Sequence, residues 1–221
     1  MSEYRAPTLT VDAVIFQLVD NQLSVLLVRR QNEPFKLDWA LPGVYNQIDE
    51  TTTQAFQRAL EKKGGIKALY LKHHEQLFTF DTIARDPRGH AVSITYLGLG
   101  EELHPSTLLE EPAFFAINNL PQLAFDHADI IHYAHDRLKA KLTYTNSIFA
   151  VLPEFFTLTQ LQKAYEAVLG RELDKRNFRK KFLSLNLMHE TDKMFREGAH
   201  RPAKLYTFNK QSLESLSRSF D

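Results

Sequence analysis

The chain has 221 residues, 27 lysines and arginines against 27 aspartates and glutamates, 43% apolar residues and no cysteine. These fractions are typical of a folded globular protein of one large or two modest domains, and the absence of cysteine excludes disulfides and thiolate metal sites. A net charge of zero argues, as an average, against nucleic-acid binding. Without a leader pattern or a run of about 18 apolar residues, we expect a cytoplasmic protein that does not enter a membrane.

The first part of the chain predicts strands around a helix. Its predicted elements are a strand pair at 8–19 and 22–28, a helix at 50–63, strands at 69–81 and 91–99, and a helix at 125–141. The strand pair is joined at Asp20-Asn21, which favours a tight hairpin turn. The first helix ends at Gly64-Gly65, a common C-terminal stop.

The pattern changes to short helices after residue 145. Helices are predicted at 158–169 and 174–184, separated by a short turn that begins with Gly170, which is the outline of a helix-turn-helix. Two strands at 187–195 and 202–208 would then form a wing. We therefore predict two domains, 1–145 and 146–221.

A spaced motif follows Trp39. It consists of Leu41-Pro42-Gly43, Val44, Glu50, Arg58, Leu60, Gly65 and Ile66. The spacing resembles the Nudix box, G-x5-E-x7-R-E-U-x-E-E-x-G-U with U apolar. Val44 occupies the position of the first glycine in this pattern. The resemblance implies an α+β chain in which a Nudix-like α/β/α sandwich precedes the winged helix-turn-helix domain.

Three positions of this box hold Ala59, Lys62 and Lys63 where the Nudix pattern has glutamates. Glutamates at this spacing share a helix face and hold the divalent metal that neutralises a pyrophosphate and activates water. A methyl group and two ammonium groups offer no such ligand. We therefore predict no metal site and no catalytic residue, although the two lysines also suit a solvated helix end.

The Nudix resemblance implies a ligand in which a nucleoside diphosphate is linked to another group. Arginine side chains bind phosphate oxygens and stack on rings, and aromatic side chains offer further stacking surfaces. The predicted ligand-binding residues are Arg30, Trp39, Arg58, Phe80, Arg85, Asp86 and Arg88. Core packing is the alternative for Phe80 and Trp39, and a solvated turn is the alternative for Arg85 and Arg88.

A Nudix domain without its metal ligands, followed by a winged helix, resembles the NrtR family of Nudix-related transcriptional regulators of NAD metabolism. The resemblance covers essentially the whole chain. It implies a homodimer that binds palindromic operator DNA, represses genes of NAD biosynthesis or salvage, and leaves the DNA when ADP-ribose binds. ADP-ribose would be an effector, and no cofactor would be required. Rotation of the two Nudix cores would then change the spacing of two recognition helices.

The residues themselves also point to DNA in the second domain. Residues 171–210 contain eleven lysines and arginines against five acids, a net charge of +6, so the remainder of the chain carries −6. The predicted DNA-binding residues are Arg176, Asn177, Arg179, Lys180, Lys181, Arg196, His200 and Arg201. Arg176 and Asn177 are the candidates for base contacts, and Lys180 and Lys181 for phosphate contacts.

Two other functions stay open. One is a Nudix hydrolase that uses Glu50 with Glu61, or acids outside the box, as metal ligands. The other is a module whose winged helix contacts a protein instead of DNA. The histidines at 73, 74, 127, 132 and 135 lack nearby acids in a ligand pattern, and we interpret them as ordinary surface or helix histidines.

Overall fold

The computed structural model of the protein describes residues 6–196 and 202–216. Its strands are β1 (Thr8–Val19), β2 (Gln22–Arg29), β3 (Trp39–Ala40), β4 (Gly43–Tyr45), β5 (His73–Phe80), β6 (Ala91–Leu99), β7 (Ala113–Ala116), β8 (Met188–Phe195) and β9 (Ala203–Phe208). Its α-helices are α1 (Thr52–Lys62), α2 (His127–Tyr144), α3 (Leu158–Leu169) and α4 (Lys175–Ser184). Among the described residues, no helix combines the length and apolar character needed to cross a bilayer.

Seven strands form one mixed sheet in the order β3-β2-β1-β6-β5, with β4 paired to β1 and β7 paired to β2. The central pair, β1 and β6, is parallel, whereas β1 and β2 are antiparallel. The predicted hairpin turn is confirmed: Asp20 and Asn21 both have positive φ, 49° and 61°, as a two-residue turn that follows the twist of the strands requires.

The sheet is covered on both faces because the side chains of β1 alternate. Val11, Ala13 and Ile15 pack with α1, while Val14 and Phe16 pack with α2. The predicted α/β/α sandwich is therefore confirmed. The helix α1 begins at a capping box formed by Thr51 and Gln54.

The helix-turn-helix and wing are confirmed, with α3 at its predicted bounds. A capping box of Thr157 and Gln160 begins α3, and Gly170, with φ of 67°, ends it in the left-handed conformation. The side chain of Asp174 caps α4 by accepting from the backbone N–H of Asn177. Strands β8 and β9 pair antiparallel behind α4.

One apolar cluster joins the two predicted domains. It includes Phe16 of the sheet, Ile131 of α2, Tyr165 of α3, Phe182 of α4 and Phe208 of β9. Contacts from α3 reach both α2 and β2, so the first helix of the helix-turn-helix is also part of the layer that covers the sheet. A domain boundary near residue 145 stays a prediction.

Polar contacts reinforce this junction. His135 Nε2 of α2 lies 2.7 Å from the carbonyl oxygen of Val168 in the last turn of α3. The buried Asn146, just after α2, donates to Ser212 O at 3.0 Å and accepts from the backbone N–H of Glu214 at 2.7 Å. The segment after β9 therefore folds back onto the linker between the two halves.

Candidate functional site

An open cavity of about 420 Å³ lies between the β4–α1 region and the start of α2. Its volume is within the range of small-molecule sites. Five chain segments meet there: β1, the loop after β2, the β4 region with α1, the turn between β5 and β6, and the start of α2. The lining residues are Thr10, Asp12, Arg30, Asn32, Glu33, Leu41, Gly43, Val44, Tyr45, Gln47, Arg58, Lys63, Arg85, Asp86, Arg88, Phe125 and His127.

The structure brings five of the seven predicted ligand-binding residues to this cavity: Arg30, Arg58, Arg85, Asp86 and Arg88. It places Trp39 and Phe80 elsewhere. The Trp39 ring packs edge-on against Phe115, with centroids 4.6 Å apart, and Phe80 packs edge-on against Tyr133 at 5.6 Å. Both adjoin the apolar core. Core packing, the alternative for these two residues, therefore describes their surroundings, because their strands direct them to the sheet interior and to α2.

Two of the cavity arginines each form two hydrogen bonds with a carboxylate that does not itself line the cavity. Arg58 donates to both oxygens of Glu50 at 2.7 Å. Arg85 donates to both oxygens of Asp126 at 2.7 and 2.8 Å. Such pairs fix the guanidinium planes, so these cations are held in place before any ligand arrives.

The other two cavity arginines differ from each other. Arg88 pairs with Asp86, its Nη2 lying 2.6 Å from Oδ2, and these hydrogen bonds lower the pKa of Asp86. Arg30 donates to the backbone carbonyl of Pro34 at 2.9 Å and to that of Asn32 at 3.2 Å. Burial and the nearby Arg88 lower the pKa of Arg30. A guanidinium that is partly buried and bonded to neutral carbonyls retains charge to offer an anion.

Aromatic rings stand among these cations. The Arg30 guanidinium lies 4.6 Å from the centroid of the Phe125 ring, and that of Arg88 lies 5.5 Å from Phe125 and 5.6 Å from Tyr45. Phe125 and Tyr45 were missed by the sequence analysis because Tyr45 lies in the three-residue strand β4 and Phe125 lies in the loop before α2, far apart in the chain. Flat cations beside flat rings suit a planar base next to phosphates.

The floor of the cavity contains buried polar side chains. Asp12 is 6% exposed and accepts a hydrogen bond from the hydroxyl of Ser93, and His127 is 5% exposed. His127 is the first residue of α2, a helix histidine as expected, and its side chain is buried. The signal available for Asp12 was an acid in the middle of the apolar strand TLTVDAVIFQLV.

The altered positions of the box have distinct surroundings. Ala59 is fully buried against the sheet, Lys62 is exposed, and Lys63 pairs with Glu110 at the cavity wall. Glu50 is held by Arg58, which lowers the pKa of Glu50 to about 2. Within residues 6–196 and 202–216, no three acids or histidines converge in a way that would hold a metal ion. These side chains do not fit a Nudix-type metal site.

A second group of predicted residues lies on α4. Arg176, Asn177 and Lys180 are exposed, while Phe178 and Phe182 face the core. Arg179 lies half-buried toward α3, where its Nη2 donates to Thr159 Oγ1 at 3.1 Å. The side chain of Arg179 is thus less exposed than those of Arg176 and Lys180.

The remaining candidates divide between the helix and the wing. Lys181 is half-buried and, with Asn177, lines a cavity of about 300 Å³ between α2, α3 and α4. Arg196 is exposed just after β8. His200 and Arg201 lie outside the described residues.

The sequence matches two family descriptions: the NUDIX domain over residues 8–134 and the NrtR DNA-binding winged helix domain over residues 148–208. It is 36% identical over 220 residues to the ADPR responsive transcriptional repressor NtrR of Acinetobacter baylyi, which covers 96% of this chain and 86% of that relative. The chain belongs to the NrtR family of transcriptional regulators.

Two solved structures of Shewanella oneidensis NrtR, one with DNA and one with ADP ribose, are similar to this NrtR-family chain. Shewanella oneidensis NrtR bound to a 27mer DNA superposes with a TM-score of 0.80 at 31% identity, covering 96% of this chain and 99% of the other. The Nudix domain of the same protein, solved with ADP ribose, matches 61% of this chain and 90% of its own length at 34% identity and a TM-score of 0.53. An ADP-ribose pyrophosphatase of Methanocaldococcus jannaschii is 39% identical over 130 residues, 58% of this chain and 73% of that relative.

The Glu50–Arg58 pair of this NrtR-family chain generates a pH prediction. The folded carboxyl has a pKa of about 2, and its ordinary value is 4.5. The stabilising pair is fully present above pH 4.5 and is lost as the pH falls toward 2. Glu50→Gln should therefore weaken the fall in urea midpoint between pH 6 and pH 3. Glu61→Gln, on the exposed side of α1, should behave like the unchanged chain, and equal pH dependence in all three would contradict this assignment.

Proposed function

We propose that this chain is a transcriptional repressor that binds operator DNA through α4 and the β8–β9 wing and is released when ADP-ribose occupies the arginine-lined cavity. One observation carries the proposal. An arginine-lined cavity lies at a Nudix box that lacks three of its glutamates. The domain around this cavity and the helix-turn-helix pack on one apolar core. The similarity to an ADPR responsive repressor over both halves supports the same function.

The cavity suits a nucleoside diphosphate linked to a sugar. Arg30, Arg58 and the Arg85–Arg88 turn enter it from three separate segments and supply guanidinium hydrogen-bond donors. Phe125 and Tyr45 offer ring faces beside two of these guanidinium groups. A ligand with two phosphates and a base uses both features, whereas inorganic phosphate uses only the first.

Binding without turnover follows from the chemistry of the box. Hydrolysis of a pyrophosphate requires a metal-activated water, and metal ligation by Glu50 requires that it leave Arg58, which holds both of its oxygens. Two ligand positions are cationic and would repel a metal ion. We therefore assign no catalytic residue and no metal ligand to this chain, and ADP-ribose acts as an effector.

The open face of α4 supplies the DNA contacts in this proposal. Arg176 and Asn177 lie near the N-terminus of α4, the end that contacts base edges in helix-turn-helix proteins, and Lys180 lies one turn later. Lys181 and Arg196 would reach backbone phosphates. Arg179 contributes through its contact with Thr159, by holding α4 against α3. We infer a homodimer on a palindromic operator, with one helix in each half-site.

The helix α2 extends from the effector cavity to the region of α4. Its first residue, His127, lines the effector cavity, and Leu142 and Thr143 near its end line the cavity beside α4. With 18 residues at about 1.5 Å each, α2 spans about 27 Å between the two. A ligand that shifts α2 would move the recognition helix with it, and in a dimer that changes the spacing of two such helices.

Hydrolase activity is the second candidate, favoured by the retained Glu50 and by the similarity to a pyrophosphatase. Calorimetric titration with ADP-ribose in the presence of Mg²⁺ separates the two functions. We expect saturable binding and recovery of intact ADP-ribose by ion-exchange chromatography. Arg30→Ala should weaken binding about tenfold or more, the value of a hydrogen bond to a charged group, and Arg137→Ala, outside the cavity, should not. Mg²⁺-dependent release of AMP that Glu50→Gln abolishes would establish the hydrolase instead.

DNA binding is tested on fragments that the chain selects from sheared DNA of its own genome. Arg176→Ala combined with Lys180→Ala should lower affinity about tenfold to a hundredfold and flatten the dependence of affinity on salt, because fewer counterions are released. Lys36→Ala with Lys67→Ala removes the same charge from the exposed Nudix surface and serves as the matched control. Equal losses in both double variants, or no selected fragment, would contradict the assignment of α4.

A further inference from the structure

A carboxylate stands in the floor of the effector cavity where the strand pattern calls for an apolar side chain. Asp12 precedes Val14 and Phe16 on the α2 face of β1, and it is 6% exposed. Its Oδ2 accepts a hydrogen bond from Ser93 of the neighbouring strand β6. Burial of a carboxylate is costly unless its oxygens find partners, so the position of Asp12 calls for an explanation.

The second oxygen of Asp12 lies close to Gly43. A Cβ on Gly43, the cross-strand partner of Asp12 in β4, would lie 2.1 Å from Oδ1. Only glycine permits this approach. Asp12 and Gly43 both line the cavity, so Oδ1 stands where a ligand group can reach it.

A hydrogen-bond donor faces the same point. The backbone N–H of Leu41 donates to His127 Nδ1 at 2.9 Å, which leaves the proton of a neutral imidazole on Nε2. Burial lowers the pKa of His127 and favours this neutral form. His127 Nε2 lies 4.0 Å from Asp12 Oδ1, too far for a direct hydrogen bond. An acceptor and a donor therefore stand side by side at the floor.

Asp12 and His127 together select a ligand group by its charge and by its hydrogen-bonding pattern. A phosphate brought to Asp12 meets a carboxylate whose described hydrogen-bond partner is a neutral hydroxyl, and like charges repel strongly in a buried site. Neighbouring hydroxyl groups suit the pair, since one donates to Oδ1 and the other accepts from Nε2. Ring faces for a base belong to Tyr45, which is 52% exposed, and to Phe125, whose ring centroid lies 5.4 Å from that of His127.

We propose that Asp12, paired with His127, binds the free cis-diol of a ribose and excludes a ribose that carries a phosphate ester. The proposal rests on the nucleotide effector proposed above and names what that effector must present at the floor. ADP-ribose has two such diols, one on the adenosine and one on the terminal ribose. Both offer the same chemistry, and the test distinguishes them.

The test is calorimetric titration of the full chain with three ligands: ADP-ribose, ADP, which lacks the terminal ribose, and ADP-ribose phosphorylated on the adenosine 2′ oxygen. If the adenosine diol is bound, the phosphorylated ligand should bind at least about tenfold to a hundredfold more weakly than ADP-ribose. If the terminal diol is bound, ADP should show that loss instead. In either case Asp12→Asn, which keeps the side-chain volume, should reduce the difference to less than about threefold.

Asp20→Asn, in the β1–β2 turn, is the matched control and should retain the discrimination of the unchanged chain. Because the ligand series is measured first on the unchanged chain, the proposal stays testable even if Asp12→Asn does not fold. Equal binding of all three ligands, or a difference that survives in folded Asp12→Asn, overturns the assignment of Asp12 alone. Failure of ADP-ribose itself to bind the unchanged chain overturns the proposed effector as well.

Discussion

One continuous apolar core holds the sheet, α2, α3, α4 and the wing strand β9 together, and it fixes α4 relative to the start of α2 at the cavity. Since α3 packs on both α2 and β2, the helix-turn-helix is built onto the sandwich. The hydrogen bonds of His135 and Asn146 close the same junction with polar groups. Cores of this density transmit displacement because side chains have little free volume in which to absorb it. The proposed route from the cavity to α4 runs through this core.

The cavity combines retained and altered positions of the Nudix box. Arg58 and Glu50 keep their positions in the box, but they satisfy each other, and Lys63 pairs with Glu110. These two ion pairs hold the side chains of Arg58 and Lys63 in the cavity wall. The guanidinium of Arg30, bonded to backbone carbonyls, stays available to an anion. The proposed role as an effector site requires such a cavity to keep its ligand intact long enough to shift a conformational equilibrium.

Much of the fold could be predicted because its signals are local. The hairpin turn at Asp20-Asn21, the stop at Gly170 after α3 and the spacing of the Nudix box each depend on neighbouring residues. The short strands β3, β4 and β7 were missed, since two to four residues carry no periodicity. The floor and ring groups of the cavity, Asp12, Phe125 and His127, come from segments that meet only through sheet order. The same limit applies to Arg179, because helix periodicity gives its angle on α4 but not the position of α3.

The most direct test of the account is competition between its two ligands. A fluorescently labelled genomic fragment selected by the chain is held at saturation, and ADP-ribose is titrated in while anisotropy is recorded. The account predicts release of the DNA at ADP-ribose concentrations above those of calorimetric binding to the free chain, because bound DNA weakens ADP-ribose binding by the same factor. It also predicts a further shift to higher concentrations in Arg30→Ala, whose α4 is unchanged. Saturation of the cavity with ADP-ribose while the DNA stays bound with unaltered affinity would contradict it.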